Sequence, residues 1–151
     1  MQALSDHAEI AQVVQEYFAA LDEKQYGRLD GVFTPEAVLR YSLDESPGAS
    51  LLYPAMVARI RQFNTAFRFT QHLSGPARIE VESDSARCRT NVRALHVQQR
   101  RDGTRSTWIV HGVYRDRLVR TPAGWRICER DFRVIATEGT LLSANEVETY
   151  D

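Results

Sequence analysis

Apolar side chains recur at three- and four-residue steps through Ile10, Val13, Val14, Tyr17, Phe18 and Leu21, the spacing of one face of a helix. Asp6, with Glu9 three residues on, reads as a capping box at its start. A shorter helix is predicted through Tyr26, Leu29 and Phe33, ending at Thr34-Pro35, because proline drives the residue before it out of helical geometry. Residues 37–43 read as a strand with imperfect alternation. Residues 44–50, which include Pro47 and Gly48, read as a loop. Pro54 suits the first turn of a third helix carrying Met56, Val57, Ile60 and Phe63.

From Phe67 the period changes from that of a helix to that of a strand. Strands are predicted near 67–74, 77–83, 85–100, 105–120 and 124–137. Ser83-Asp84, Arg101-Asp102-Gly103 and Thr121-Pro122-Ala123-Gly124 supply the turns. Long strands joined by tight turns imply a strongly curved, mainly antiparallel sheet. Helices first and sheet last predict an α+β domain, three N-terminal helices packed on one sheet face. The domain is placed at residues 1–137. The polar tail, 138–151, is expected to order only against a partner subunit.

Composition then excludes more than it proposes. A chain of 151 residues fits one domain with enough core to hold a pocket. Nineteen basic residues oppose twenty acidic ones for a net charge of −1, so no global field favours nucleic acid. No apolar run approaches the ~20 residues of a membrane span, and residues 1–6 lack the pattern of an export signal. The two cysteines, Cys88 and Cys128, lack metal or redox spacing and read as reduced thiols of a cytoplasmic protein.

Chemistry enters at the histidines. Between residues 86 and 98 the even positions, Ala86, Cys88, Thr90, Val92, Ala94 and His96, are small or apolar, whereas the odd ones carry Arg87, Arg89 and Arg93. The even face is therefore the buried one, and His96 is on it. It reads either as a core histidine satisfied by one hydrogen bond or as a general acid/base tuned by a carboxylate. Asp22, four residues after Phe18, is the candidate carboxylate. It opposes the dipole of its own helix, which an imidazolium would offset, and Asp22-Glu23-Lys24-Gln25 also has the spacing of a cap for the second helix. His72 shares parity with Thr70 and Ser74, opposite Phe69 and Leu73, so it sits off the apolar face unless it lines a polar cavity mouth. Tyr41 is an amphipathic strand-end phenol. Tyr114 shares a face with Trp108, Val110 and Gly112, and Gly112 leaves room for something to approach. His111 has the opposite parity and reads as structural or interfacial; Trp125 and Ile127 read as core. The histidines lack metal-site spacing, no nucleotide-binding loop or nucleophile elbow occurs, and neither a metal nor a cofactor is expected.

The segments Tyr17-Phe18-Ala19-Ala20-Leu21-Asp22, 27–37, 112–118 and Gly124-Trp125-Arg126-Ile127 resemble the SnoaL-like branch of the nuclear transport factor 2-like superfamily. The resemblance implies a cone-shaped α+β barrel, and dimerisation is the family's habit. Within the superfamily the residue pattern is most similar to scytalone dehydratase-type enzymes. That similarity implies catalytic roles for Asp22, Tyr41, His72 in Thr70-Gln71-His72, and His96 as the histidine bonded to the aspartate. Leu21 stands where those enzymes carry a tyrosine, and their pocket asparagine falls near Tyr114. Dehydrochlorinases of the same fold share the aspartate–histidine logic.

The expected function is cofactor-independent dehydration or ring closure of a small, largely apolar hydroxy-carbonyl compound, polyketide-like or aromatic, with His96 as base and Asp22 as its partner. Tyr17, Phe18, Phe69, Val92, Trp108 and Tyr114 are expected to line the substrate pocket, and the chain to act as a homodimer or higher oligomer. The alternatives are epoxide opening or hydrolysis, in which Glu129 or Asp131 would matter as much as Asp22, a ketosteroid isomerase-like reaction, and a non-catalytic binding or dimerisation module.

Overall fold

The computed structural model describes residues 2–43 and 46–151. Asp44 and Glu45, at the start of the predicted loop, lie outside the described residues. Helix α1 (Gln2–Asp22) buries Ile10, Val14, Tyr17, Phe18 and Leu21, the predicted face. It begins earlier than its apparent capping box. Asp6 lies in its second turn and is buried, because its carboxylate accepts both Arg120 Nη groups (2.8 and 3.0 Å) and the Trp125 indole N–H (3.2 Å). The supposed cap is an anchor between the helix and the far end of the sheet.

The second helix reduces to a 3-10 turn, Tyr26–Gly31, and its N-cap is Gln25 without a side-chain bond. Asp22 therefore caps nothing. Thr34 and Pro35 do not end a helix but lie inside β1 (Phe33–Ser42). They occupy the register shift between Phe33 and Val38, where proline's missing N–H breaks no ladder. A short strand absent from the sequence reading, β2 (Ser50–Leu52), precedes α2 (Tyr53–Asn64), which carries Pro54 in its first turn as expected. The remaining strands are β3 (Phe69–Ser74), β4 (Arg78–Glu82), β5 (Ser85–Gln99), β6 (Arg105–Thr121) and β7 (Gly124–Gly139).

The sheet runs β2-β1-β7-β6-β5-β3, with β4 also paired to β5, and curls around α1 and α2 without closing. It is mixed. The β1–β7 pair is parallel and the other described pairs are antiparallel. One edge of β5 takes β4 along 85–89 and β3 along 92–97. The turn before β6 uses Gly103 at φ +88, a left-handed conformation that costs glycine little.

The tail after β7 packs on its own chain, correcting the expectation that it needs a partner. Val147 is buried and bridges Arg100. The buried Gln98 amide accepts from Leu142 N (2.8 Å) and donates to Leu142 O (3.0 Å). Two buried apolar side chains, Leu142 and Val147, together with the Gln98 bonds, seat a segment whose composition reads as polar. No described helix is long and apolar enough to cross a membrane.

Candidate active site

The concave face of the sheet and the inner stripe of α2 enclose a cavity of about 180 Å³. Tyr17, Tyr41, Val92, Trp108 and Tyr114 line it, together with both His72 and His96. Register explains the pairing of histidines. Thr70 lies opposite His96 and His72 opposite Ala94, so the two rings are diagonal neighbours on one face, their centroids 6.0 Å apart.

The carboxylate of Asp22 reaches His72, not His96. As the last residue of α1 it meets edge strand β3 and accepts three hydrogen bonds. They come from His72 Nδ1 (2.6 Å), the His72 backbone N–H (2.8 Å) and the Thr70 hydroxyl (2.8 Å). The backbone donor is available because β3 ends the sheet on this side and its outward N–H groups have no strand to pair with. Burial pushes the Asp22 carboxyl up, but the bonds from His72 and Thr70 outweigh it and hold the group below its ordinary value. With Nδ1–H committed to Asp22, a neutral His72 ring carries its lone pair on Nε2. Phe18 stacks on the other side of this ring at 5.5 Å and 16°.

His96 is buried as its parity requires, but its partner differs from the expected one. Its Nδ1–H donates to the Trp108 carbonyl (3.3 Å), and Phe67 and Trp108 crowd its ring at 4.8 and 4.9 Å. Burial, reinforced by His72, pushes its pKa down to about 4, so at neutral pH it is an uncharged donor and acceptor. The sequence offered both histidines and the aspartate; which histidine meets the aspartate depends on where the end of α1 lands across the sheet.

The alternation on β3 is inverted relative to the usual rule. Thr70, His72 and Ser74 face inward, while Phe69 and Leu73 are 44% and 57% exposed on the opposite face. Phe69 is thus not a pocket residue, because the inward face of this strand is given to Asp22. Phe18 backs His72 rather than lining the cavity. Glu129 and Asp131 lie on the outer face, Glu129 paired to Arg117, and neither reaches the cavity that a hydrolytic reading would require. His111 is also off the cavity, bonded to Glu138.

Tyr41 and Tyr17 share a hydrogen bond between their hydroxyls (2.7 Å), and burial raises both phenols well above the ordinary range. Beneath them lies a pair not anticipated from the sequence. Arg130 binds Asp116 through two 2.7 Å contacts, both side chains essentially sealed from solvent. The guanidinium lies 4.0 Å from the Tyr17 ring centroid and 4.4 Å from that of Tyr114. A register shift between Arg117 and Leu118 turns Arg130 and Phe132 inward after Trp125 and Ile127, so period-2 counting does not find them. Phe132 also fills the space that Gly112 leaves. Among the described residues no three His, Cys, Asp or Glu side chains gather closely enough to hold a metal ion.

Residues 2–131 match the family model of the SnoaL-like domain. An uncharacterized protein of Mycobacterium tuberculosis is 33% identical over 128 residues, 84% of each chain. A solved protein of Kribbella flavida is 27% identical and superposes with a TM-score of 0.81 over 90% of this chain and 95% of its own. A candidate scytalone dehydratase of Novosphingobium aromaticivorans, 22% identical, has a TM-score of 0.77 over 97% of this chain and 93% of its own.

Proposed function

The chain belongs to the SnoaL-like family, and from that premise we propose that its cup carries out cofactor-independent proton abstraction followed by elimination. The substrate in this reading is a small, largely apolar hydroxy-carbonyl compound, aromatic or polyketide-like, and dehydration or ring closure is the outcome. One observation carries it: an imidazole held by a carboxylate, His72 by Asp22, opens into a largely apolar cavity. The likeness of fold to a candidate scytalone dehydratase is in keeping with it. A volume of about 180 Å³ is below the roughly 300–1,000 Å³ of sites for drug-sized ligands, which suits a one-ring substrate.

His72 Nε2 takes the proton alpha to the carbonyl, and ionised Asp22 stabilises the imidazolium that forms. Negative charge collects on the carbonyl oxygen. In this reading Tyr17 donates to the Tyr41 oxygen and the Tyr41 O–H turns to that carbonyl oxygen. The imidazolium returns its proton to the beta hydroxyl, the C–O bond breaks, water departs and a C=C bond forms. Neutral His96 positions the leaving hydroxyl as an acceptor at Nε2. Relative to the sequence reading, the base moves from His96 to His72. Operation as a cytoplasmic homodimer in secondary metabolism belongs to the same reading. An outer-face depression of about 810 Å³ that Val38, Arg87, Arg115 and Glu129 line is the surface it would use.

The test is exchange of the alpha proton of a small beta-hydroxy aryl ketone in D₂O, followed by NMR alongside enone formation. Wild-type protein is expected to accelerate both, and His72→Ala neither. Undiminished exchange in His72→Ala rejects the dyad. Exchange without water loss favours isomerisation, and oxygen-18 incorporation from solvent favours hydrolysis. A ligand bound without exchange leaves a binding module.

A further inference from the structure

The inner stripe of α2 contains one residue that its spacing does not call for. Met56, Ile60 and Phe63 follow the step of a helix face, and all line the cavity. Arg59, at the position between them where that stripe calls for another apolar side chain, lines it too. Described residues that both line the cavity and open to solvent mark its mouth; these are Leu43, Ala49, Arg59 and Phe63. Arg59 makes no hydrogen bond or ion pair with any described residue. By contrast Arg28, Arg117, Arg120 and Arg130 are each held by a carboxylate. Deeper in, Asp22 already accepts three donors and His96 is uncharged, so among the described residues that line the cup Arg59 carries the uncommitted charge.

We propose that the ligand of this cup is an anion: a small apolar body that buries against Val92, Trp108 and Val110, bearing a carboxylate that the Arg59 guanidinium clamps at the mouth. A planar guanidinium matches a carboxylate through two parallel hydrogen bonds, and the half-enclosed rim screens that pair less than open water does. This places the carboxylate at the opposite end of the ligand from the atoms facing His72, and so fixes which end enters first. The proposal rests on the cup being the ligand site and not on the reaction assigned to it. A guanidinium whose stem merely covers apolar surface would show no preference for charge.

Benzoate and benzyl alcohol, matched in shape and differing in charge, separate these cases. Binding is followed by calorimetry and by the fluorescence of Trp108, with Trp125 as the constant background. Wild-type protein is expected to bind benzoate at least about tenfold tighter than the alcohol, with the preference shrinking as salt is added. Arg59→Met is expected to abolish the preference and Arg59→Lys to retain part of it. His72→Ala, which tests the reaction, is expected to leave the preference intact. Equal binding of the two ligands by wild type, binding of neither, or a preference that survives Arg59→Met overturns the proposal. Benzoate preference in a protein that turns over no hydroxy-ketone would sink the elimination reading and leave this one standing.

Discussion

Asp22 at the end of α1 accepts the Nδ1–H of His72 at 2.6 Å, joining residues 50 positions apart. The same carboxylate holds the His72 backbone N–H, so the ring is fixed at two points. An imidazole so oriented needs no reorganisation to act as a base, and a carboxylate so bonded stays ionised although it is half-buried.

His72→Ala and Asp22→Asn are each expected to lower turnover by roughly 10²–10⁴-fold, the usual contribution of a positioned general base. Asp22→Asn keeps an acceptor toward Thr70 and the strand edge, so circular dichroism and thermal unfolding should find the fold intact. Wild-type rates in either variant contradict the assignment.

His96 makes stability depend on pH in mildly acidic solution. Its folded pKa, about 4, is below the ordinary value near 6.5, so between these limits the unfolded chain takes up a proton that the native state refuses. Stability is full above about pH 6.5 and declines toward pH 4, by about 3 kcal/mol from this group. Asp22 adds to the loss at lower pH, because its depressed carboxyl contributes stability that vanishes as pH falls through its folded pKa. Urea denaturation of wild type and His96→Gln from pH 4 to 7.5 reads both slopes. His96→Gln should be flatter between pH 4 and 6.5.

Removing one member of the Arg130–Asp116 pair strands a sealed charge. Asp116→Ala is expected to cost about 3–5 kcal/mol, while the double change Arg130→Met with Asp116→Leu should lose much less. Arg130 Nη1 has no hydrogen-bond partner among the described residues, which adds to the cost of keeping the pair. Comparing midpoints of unfolding for the two variants decides whether charge or shape dominates there.

Gly112→Ala tests the seam between β6 and β7. An added Cβ would come within 2.4 Å of Phe132 Cε2 and 3.1 Å of the Arg133 carbonyl. A ring that swings into the cavity it lines relieves the contact, so a loss of about 1–3 kcal/mol and weaker ligand binding are expected together. Unchanged binding with lowered stability would show that Phe132 moves another way.

Periodicity was enough for the helical face of α1, the five strands from Phe69 on and the burial of His96, because 3.6- and 2-residue repeats record which face avoids water. It misled at Asp6 and Asp22, whose short-range spacing imitates helix caps although both carboxylates are taken by donors from the sheet. It also misled on β3, where the inward face is polar because a site occupies it. Arg130 stayed hidden because one extra residue in the ladder reverses parity.

The sequence by itself determined the α+β order, the alternation that buries His96 and the set of groups available for chemistry. Only the tertiary structure decided that Asp22 belongs to His72, that Arg130 and Asp116 lie beneath the tyrosines, and that the tail folds back onto its own chain. Repeats along a chain encode facing, a local property. Which facing groups touch depends on strand register, bulges and the point where a helix ends against a sheet, and these are settled only when the distant segments pack.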